Sequence, residues 1–412
     1  MLPRPRTVPE PMNPFARSLR REARRLVGQP WELAMVSWVP ALAAALMWWI
    51  FSAGLPNRLS IGVLDEDHSA ISRQIERFLE ASPGLQVAER YADAAEMDRA
   101  LVAGRVHAAV WLPRELSRDL KQGRAGQVVL LHNAQRGTHS SLIQRDVRTA
   151  VGTVSAGIEL TARAKRGESA PAARAHLDPV RANTVALFNT SSNYEQFLGA
   201  ALIPALLHIF AMTAGAWTLG RELRDRSLGE WLAPGVGANA GTAAGANWGE
   251  AAAALAGKLL LPWLSLSTVG LLALLGLTLG RGWHPAGSLV WVGVALVLFL
   301  GLSVAMGAFL AALTRSLRTA LSGTGFITAP AFAFGGVGFP LVAMPAAARA
   351  WALALPYTHY ARVQIEQLQM GAPLAYSMAT PLWMAVAALA LLAASAGLVG
   401  RAATAPESWG KR

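Results

Sequence analysis

The densest group of side chains that could do chemistry lies in residues 220–232, where Arg221, Glu222, Arg224, Asp225, Arg226 and Glu230 stand beside Leu228, Trp231 and Leu232. No nucleophile–base pair or carboxylate dyad stands out there or elsewhere, so the chemistry on offer is recognition rather than bond making. Charges of both signs next to an indole and two leucines form a compact hot-spot pattern. Ion pairs would set a partner's register and the apolar groups would fill its groove. The competing reading is a helix lying on a lipid surface for solubility alone.

Other groups are weaker candidates. Asp65, Glu66 and Asp67 could bind a divalent cation, but a strand-to-helix turn with capping carboxylates suits their setting better. His68, His132 and His139 are too scattered to argue a metal site. Tyr357, His359 and Tyr360 invite a proton relay, although tyrosines and tryptophans also gather as aromatic clusters at headgroup level. Lys258 is a single charge near a helix end, where snorkelling would satisfy it. The chain has no cysteine, which excludes disulfides, thiolate metal sites and cysteine nucleophiles. A Gly-x-x-x-x-Gly-Lys-Ser/Thr phosphate loop is also missing; the Gly-Lys pairs at 257–258 and 410–411 lack its glycine spacing and preceding strand. No catalytic, cofactor-binding or metal-binding residue is therefore assigned to this chain, and any ATP hydrolysis belongs to another one.

The elements that must position these residues are membrane helices. Of the 412 residues 53% are hydrophobic and 15% charged, against about 25% charged in soluble domains. Charge-free intervals at 33–57, 196–220, 282–314, 319–348 and 367–400, with 251–280 containing only Lys258, supply six segments long enough to span a bilayer. The alternation of a membrane barrel is absent. The net charge of +12 is spread over membrane-flanking segments and a mixed-charge domain, which points to anionic headgroups and topology control rather than nucleic acid.

The expected organisation is mainly α, with six transmembrane helices and an extracytoplasmic α/β domain inserted between the first and second. Residues 1–30 form a basic tail and an interfacial amphipathic helix, capped by Asn13 and started by Pro14, with Phe15, Leu19, Ala23 and Leu26 on one face and arginines toward headgroups. Residues 31–54 are the first span, retained rather than cleaved as a signal. Residues 55–194 hold strands near 61–64, 87, 106–111 and 128–131, helices at 69–80 and 94–102, and a long stalk helix at about 138–165. Residues 195–400 carry spans two to six, including the charged 221–232 helix and an outer re-entrant or interfacial segment at 343–372; residues 401–412 are a cytoplasmic tail. Arginines at alternate span ends put both termini in the cytoplasm. In the fifth interval Pro330, Gly335, Gly336, Gly338, Pro340 and Pro345 disfavour one straight helix. Phe332, Phe334 and Phe339 there could seal a dry interface, so Phe332, Phe334, Gly335, Gly336, Phe339, Pro340, Tyr357 and His359 are candidates for a pathway or gate.

The order of these features resembles the permease subunit of type-2 ABC exporters (ABC-2 type), and more narrowly the bacterial drug-efflux-type permeases with a large periplasmic domain. The resemblance is carried by residues 62–69 (GVLDEDHS) with 71–75 (ISRQI), 131–135 (LHNAQ), 188–189 (FN) with 193–194 (NY), 220–225 (GRELRD), 257–260 (GKLL), and 340–345 (PLVAMP) through 355–360 (LPYTHY). It runs from about Leu26 to Arg401. Arg226 departs from the pattern, standing where many relatives have the glycine of a Gly-Thr pair.

The resemblance implies a homodimer or a pair with a close paralogue in the bacterial inner membrane. It implies one ABC ATPase subunit, with ATP and Mg bound there, seated on each 221–232 helix. It further implies efflux of a small hydrophobic or amphipathic compound, with a periplasmic membrane-fusion adaptor as a further partner. Competing classes are a non-transporting scaffold or sensor whose outer domain binds a partner, and an ion-driven transporter. The latter would ordinarily place ionisable groups in midmembrane, where the spans have almost none.

Overall fold

The computed structural model describes residues 13–134, 137–169, 187–189, 193–232, 247–405, 407 and 409. Two compact units emerge, one formed by residues 55–186 and the other by the chain up to 54 and from 187 onward.

In the larger unit, α1 (Pro14–Gly28) begins as its sequence dictates: Asn13 Oδ1 accepts from Phe15 N, and Pro14, which has no N–H to satisfy, is the first helical residue. Short α2 (Pro30–Val36) and α3 (Trp38–Phe51) follow. A π-helical turn at Glu195–Gly199 leads into α8 (Ala200–Arg224), and α9 (Leu228–Leu232) comes next. Beyond lie α10 (Trp248–Thr278) and α11 (Leu289–Thr314). Five helices are long and apolar enough to cross a bilayer among the described residues: Pro30–Phe51, Glu195–Arg224, Trp248–Arg281, Leu289–Thr314 and Leu374–Ala403.

The fifth span, expected in 319–348, is interrupted as its prolines and glycines imply. It is cut into α12 (Leu317–Thr328) and α13 (Ala331–Phe334), followed by α14 (Ala346–Ala354) and α15 (Pro356–Gln364). At 1.5 Å per residue α12 extends only about 18 Å, short of the ~30 Å hydrocarbon core. After a π-helical turn at Ile365–Gln369, α16 (Leu374–Ser377) and α17 (Ala379–Ala403) complete this unit.

Small residues set its tightest crossing. A Cβ on Gly215 of α8 would lie 2.0 Å from Val304 O of α11, and one on Gly307 of α11 would lie 1.9 Å from Met212 O of α8. The two backbones meet directly, as close helix packing in membranes requires.

The smaller unit is a four-stranded sheet in the order β2-β1-β3-β4. β1 (Leu59–Asp65) pairs parallel with β2 (Leu85–Tyr91) and β3 (Ala108–Leu112), and β4 (Val129–His132) pairs antiparallel with β3. The crossovers are α4 (Ala70–Ala81) and α5 (Ala94–Val102). Helix α6 (Leu116–Lys121), not anticipated from sequence, precedes β4. Ile61 and Val63 belong to one apolar cluster, and Leu64 with Tyr91 to a second, so the sheet is covered on both faces as parallel strands demand. α7 (Gly137–Lys165), expected as a stalk, packs into this unit's own core through Ile143, Val147, Ala150 and Val154.

The acidic turn after β1 is occupied by its own backbone and hydroxyls. Asp65 Oδ1 accepts from Asp67 N and His68 N, each at 3.0 Å, and Asp65 Oδ2 from Ser72 Oγ at 2.7 Å. Ser69 caps α4, while Asp67 Oδ1 accepts from Ser117 N and Oγ. The strand-to-helix turn is as expected, but its helix cap is Ser69, and Asp65 and Asp67 brace the turn instead of capping the helix.

Candidate functional site

Helix α8 carries its charges to its very end. Arg221, Glu222 and Leu223 are buried, whereas Arg224, Asp225 and Arg226 are exposed. The helix then stops in a Schellman turn: Ser227 N donates to Glu222 O at 2.9 Å, Arg226 N donates to Leu223 O at 3.3 Å, and Arg226 sits at φ +57°. A left-handed residue there explains why glycine suits the position and why arginine bears some strain. The 221–232 stretch is thus the last turn of a long helix plus the separate α9, not one docking helix.

The buried charges form a closed cluster. Lys258 Nζ, on α10, lies 2.7 Å from Glu222 Oε1 and 3.2 Å from Glu22 Oε2 on α1. Arg221 bonds Glu22 through Nη2 and Glu32 of α2 through Nη1. Arg21 Nη2 adds a 3.0 Å bond to Glu222, and Arg25 reaches Glu32 at 3.5 Å and Asp225 at 3.4 Å. Trp217 Nε1 donates to Glu32 at 3.2 Å. The side chains of Glu22, Arg221 and Lys258 are 1% exposed and that of Glu222 is fully buried.

An isolated charge so buried would cost several kcal/mol. Here the four carboxylates of Glu22, Glu32, Glu222 and Asp225 face the five cations Arg21, Arg25, Arg221, Arg224 and Lys258, so each buried charge has an opposite one beside it. At the open edge, the hydrogen bond from Arg224 holds the Asp225 carboxyl below the usual carboxylate range, with Arg25 adding to it and partial burial opposing.

Three expectations need correction. Leu228, Trp231 and Leu232 do not present a free face. They are 0%, 2% and 7% exposed within the chain's own core, with Trp231 Nε1 donating to Ser18 Oγ at 2.8 Å and Lys258 Nζ 5.1 Å from the Trp231 ring centroid. Lys258 does not snorkel, because two carboxylates hold it. Helix α1 does not turn a purely apolar face inward: its buried residues are Ser18, Glu22 and Leu26, packed so closely on α10 that a Cβ on Gly257 would lie 2.3 Å from Phe15 O. Glu22 and Glu32 were missed. Their signal was a lone acid among arginines and an acid at the start of a span.

Glu230 is exposed beside the buried α9 residues, so Arg224, Asp225, Arg226 and Glu230 are the members of the stretch open to solvent.

The gate candidates divide. Phe332, Gly335 and Tyr357 come together: the Phe332 and Tyr357 ring centroids are 6.3 Å apart, and a Cβ on Gly335 would lie 2.4 Å from Tyr357 Cε1. Tyr357 is buried, donates to Ala201 O at 2.8 Å, and borders Phe299, which stacks on Tyr360 at 4.9 Å. The two tyrosines thus join an aromatic cluster, one buried in the helical core beside Phe299. His208, unremarked in the sequence, joins it through Phe299 and Ser303 Oγ at 2.7 Å. His359 stands apart, 2.8 Å from Leu353 O with its ring against Trp383. Phe334 is half-buried, Gly336 turns at φ +79° over Leu341, and Phe339 and Pro340 are exposed.

The family model described as ABC-2 family transporter protein matches residues 30–397. The chain belongs to the ABC-2 family. It is an ABC-2 type transporter permease, a multi-pass membrane protein of a family that works in general with an ABC ATPase. No curated protein matches it. The match to the permease spans α2 through most of α17, so it takes in Glu32, Arg221, Glu222 and Lys258 but leaves α1 and Glu22 outside.

Proposed function

We infer that this permease is the membrane half of an ATP-driven exporter moving small hydrophobic or amphipathic compounds out of the cytoplasm or inner membrane. It works as a dimer, with both termini and the 221–232 stretch on the cytoplasmic side of a bacterial inner membrane. The ATPase subunit binds ATP and Mg and seats on Arg224, Asp225, Arg226 and Glu230. A membrane-fusion adaptor on the outer side is compatible with the same reading.

The observation that carries this is the closed ion cluster just behind those exposed residues. Because it joins α1, α2, α8 and α10 through buried charge pairs, a push on the surface at 224–230 moves several helices as one body. A surface charge run with no such backing would yield locally instead.

A single cysteine replacing Glu230 in this cysteine-free chain tests orientation and docking together. An impermeant maleimide should label it in inverted vesicles and not in intact cells, and added ATPase subunit should slow the labelling. Labelling in intact cells refutes the orientation; equal rates with and without ATPase remove Glu230 from the docking surface.

A further inference from the structure

At the end of α8 away from the ion cluster, a cavity of about 130 Å³ opens between the start of that helix, the turn after α10 and the π-helical turn that follows α15. Phe188, Gln196, Trp283, His284, Leu368 and Gln369 line it, and no Asp, Glu, Lys or Arg does. Two π-helical turns meet here. Gln196 belongs to Glu195–Gly199 and Leu368 and Gln369 to Ile365–Gln369, and Gln369 Nε2 donates to Gln196 O at 2.9 Å across them. Such turns interrupt a regular helix and recur at functional sites.

The backbone beside the cavity is strained. Phe188 sits at φ +70°, where a bulky residue is an outlier, yet its ring is 54% exposed, so burial does not offset the strain. Asn189 holds the chain next to it: Nδ2 donates to Asn193 O and Oδ1 accepts from Asn193 N, each at 2.9 Å. Strain fixed in this way is characteristic of ligand clamps.

The polar atoms of the wall are idle and within reach. Among the described residues Trp283 Nε1, the ring nitrogens of His284, the Gln196 amide and Gln369 Oε1 have no hydrogen-bond partner, and unlike Arg221 Nε and His208 Nε2 they are not sealed from contact. Trp283 Nε1 can only donate; Gln369 Oε1, with its own Nε2 spent on Gln196 O, can only accept; the Gln196 amide does both. A ligand that meets them must accept and donate. Hydroxyl groups do so, whereas a phosphate oxygen only accepts and a quaternary ammonium does neither. An ion would also find no fixed counter-charge in this wall. The electron-rich face of Phe188 suits the C–H face of a saturated ring, and a volume below the roughly 300 Å³ at which drug-sized sites begin admits one ring.

We propose that this cavity binds one neutral sugar ring, whose hydroxyls accept from Trp283 Nε1 and donate to Gln369 Oε1 while its C–H face lies against Phe188. The ring comes as a free sugar or as the headgroup of a glycolipid with its tail in the bilayer. Neither source depends on which compound is exported or on which side of the membrane this end faces.

Diethyl pyrocarbonate modification of His284, read by mass spectrometry against the exposed His68, reports occupancy in the full-length permease in phosphatidylcholine nanodiscs. Methyl glycosides of glucose, galactose, mannose and N-acetylglucosamine are added in turn, and a second set of nanodiscs contains a monoglucosyl diacylglycerol. By mass action a ligand at about four times its dissociation constant should slow His284 about fivefold and leave His68 unchanged. Trp283→Phe keeps a ring and loses the donor, and should raise the concentration for half protection about fivefold, as loss of one hydrogen bond does. Protection by a free glycoside assigns a soluble sugar, protection by the glycolipid alone assigns a headgroup, and either supports the site. No protection by the glycolipid or by any glycoside at about 100 mM, well above a millimolar dissociation constant, overturns it. So does undiminished protection in Trp283→Phe. Equal protection by tetrahydropyranylmethanol, which has the ring without its hydroxyls, overturns it too, a comparison made on the unaltered protein that holds even if Trp283→Phe fails to fold.

Discussion

At one end of the helix that runs from Glu195 to Arg224, Glu195 accepts from Trp48 Nε1 and from Arg281, whose side chain is 40% exposed. At the other end Glu222 accepts from Lys258 and Arg21 and shares Lys258 with Glu22, with the charges at the centre out of reach of water. The first arrangement is a pair with a water-facing partner and a neutral hydrogen bond in reserve. The second is a set in which every buried charge depends on the others. Loss of one member should therefore be tolerated at the first end and not at the second, although each end centres on a buried glutamate.

Lys258→Met gives the largest expected effect. It strands Glu22 and Glu222 beside fewer cations, and breaking a buried pair by removing one partner costs about 3–5 kcal/mol. Thermal melting of the purified permease in detergent should fall accordingly. Adding Glu222→Gln restores the balance of sign and should recover most of the loss. Arg281→Met should cost less, about 1–2 kcal/mol, because Glu195 keeps Trp48. Equal losses at Lys258 and Arg281 would break the comparison.

The same contrast explains what was legible in the sequence. Local signals were readable: Asn13 and Pro14 start α1, and 94–102 forms a helix over the expected residues, although α4 is capped by Ser69 and not by the preceding carboxylates. The α/β strands followed from short β-branched runs between turn residues. Pairing across the chain was not readable. Arg221 lies 199 positions from Glu22 and 189 from Glu32, and no periodicity in α1 tells whether its charges meet lipid or another helix. The apolar face of α1 suggested a membrane surface, while the fold buries Leu26 of that face together with Ser18 and Glu22 from beside it. Burial of Trp231 was illegible for a related reason: an indole beside charges reads equally as an interface anchor or as the core of its own chain.

Trp231→Ala separates those two readings of α9 and should have the next largest effect. Truncating a buried Trp costs about 3–5 kcal/mol when the site cannot collapse, and here it also removes the hydrogen bond to Ser18 Oγ. The permease by itself should melt lower. Unchanged melting combined with weaker capture of the ATPase would instead make Trp231 a contact with that subunit.

The smallest energetic effect concerns the Pro/Gly-rich stretch at 330–345, which differs from the ion cluster in being only half closed. Phe332 and Gly335 are covered by Tyr357, but Phe339 is 51% and Val342 87% exposed. If two copies meet along this stretch to form an outward constriction, the uncovered ring of Phe339 is better placed to meet its counterpart than Phe334, which packs against its own chain. A cysteine at Phe339 should change the melting of the permease by no more than about 0.5 kcal/mol, as at other exposed positions. Disulfide formation needs Cα atoms within about 7 Å, so a reducible dimer in the nucleotide-free state would report close approach of the two copies. ATP-driven export should stop on oxidation and return on reduction. Efficient crosslinking with unchanged export would leave the contact but remove the gate. Crosslinking from Phe334 and not Phe339 would mean that the stretch turns its other side to the partner copy.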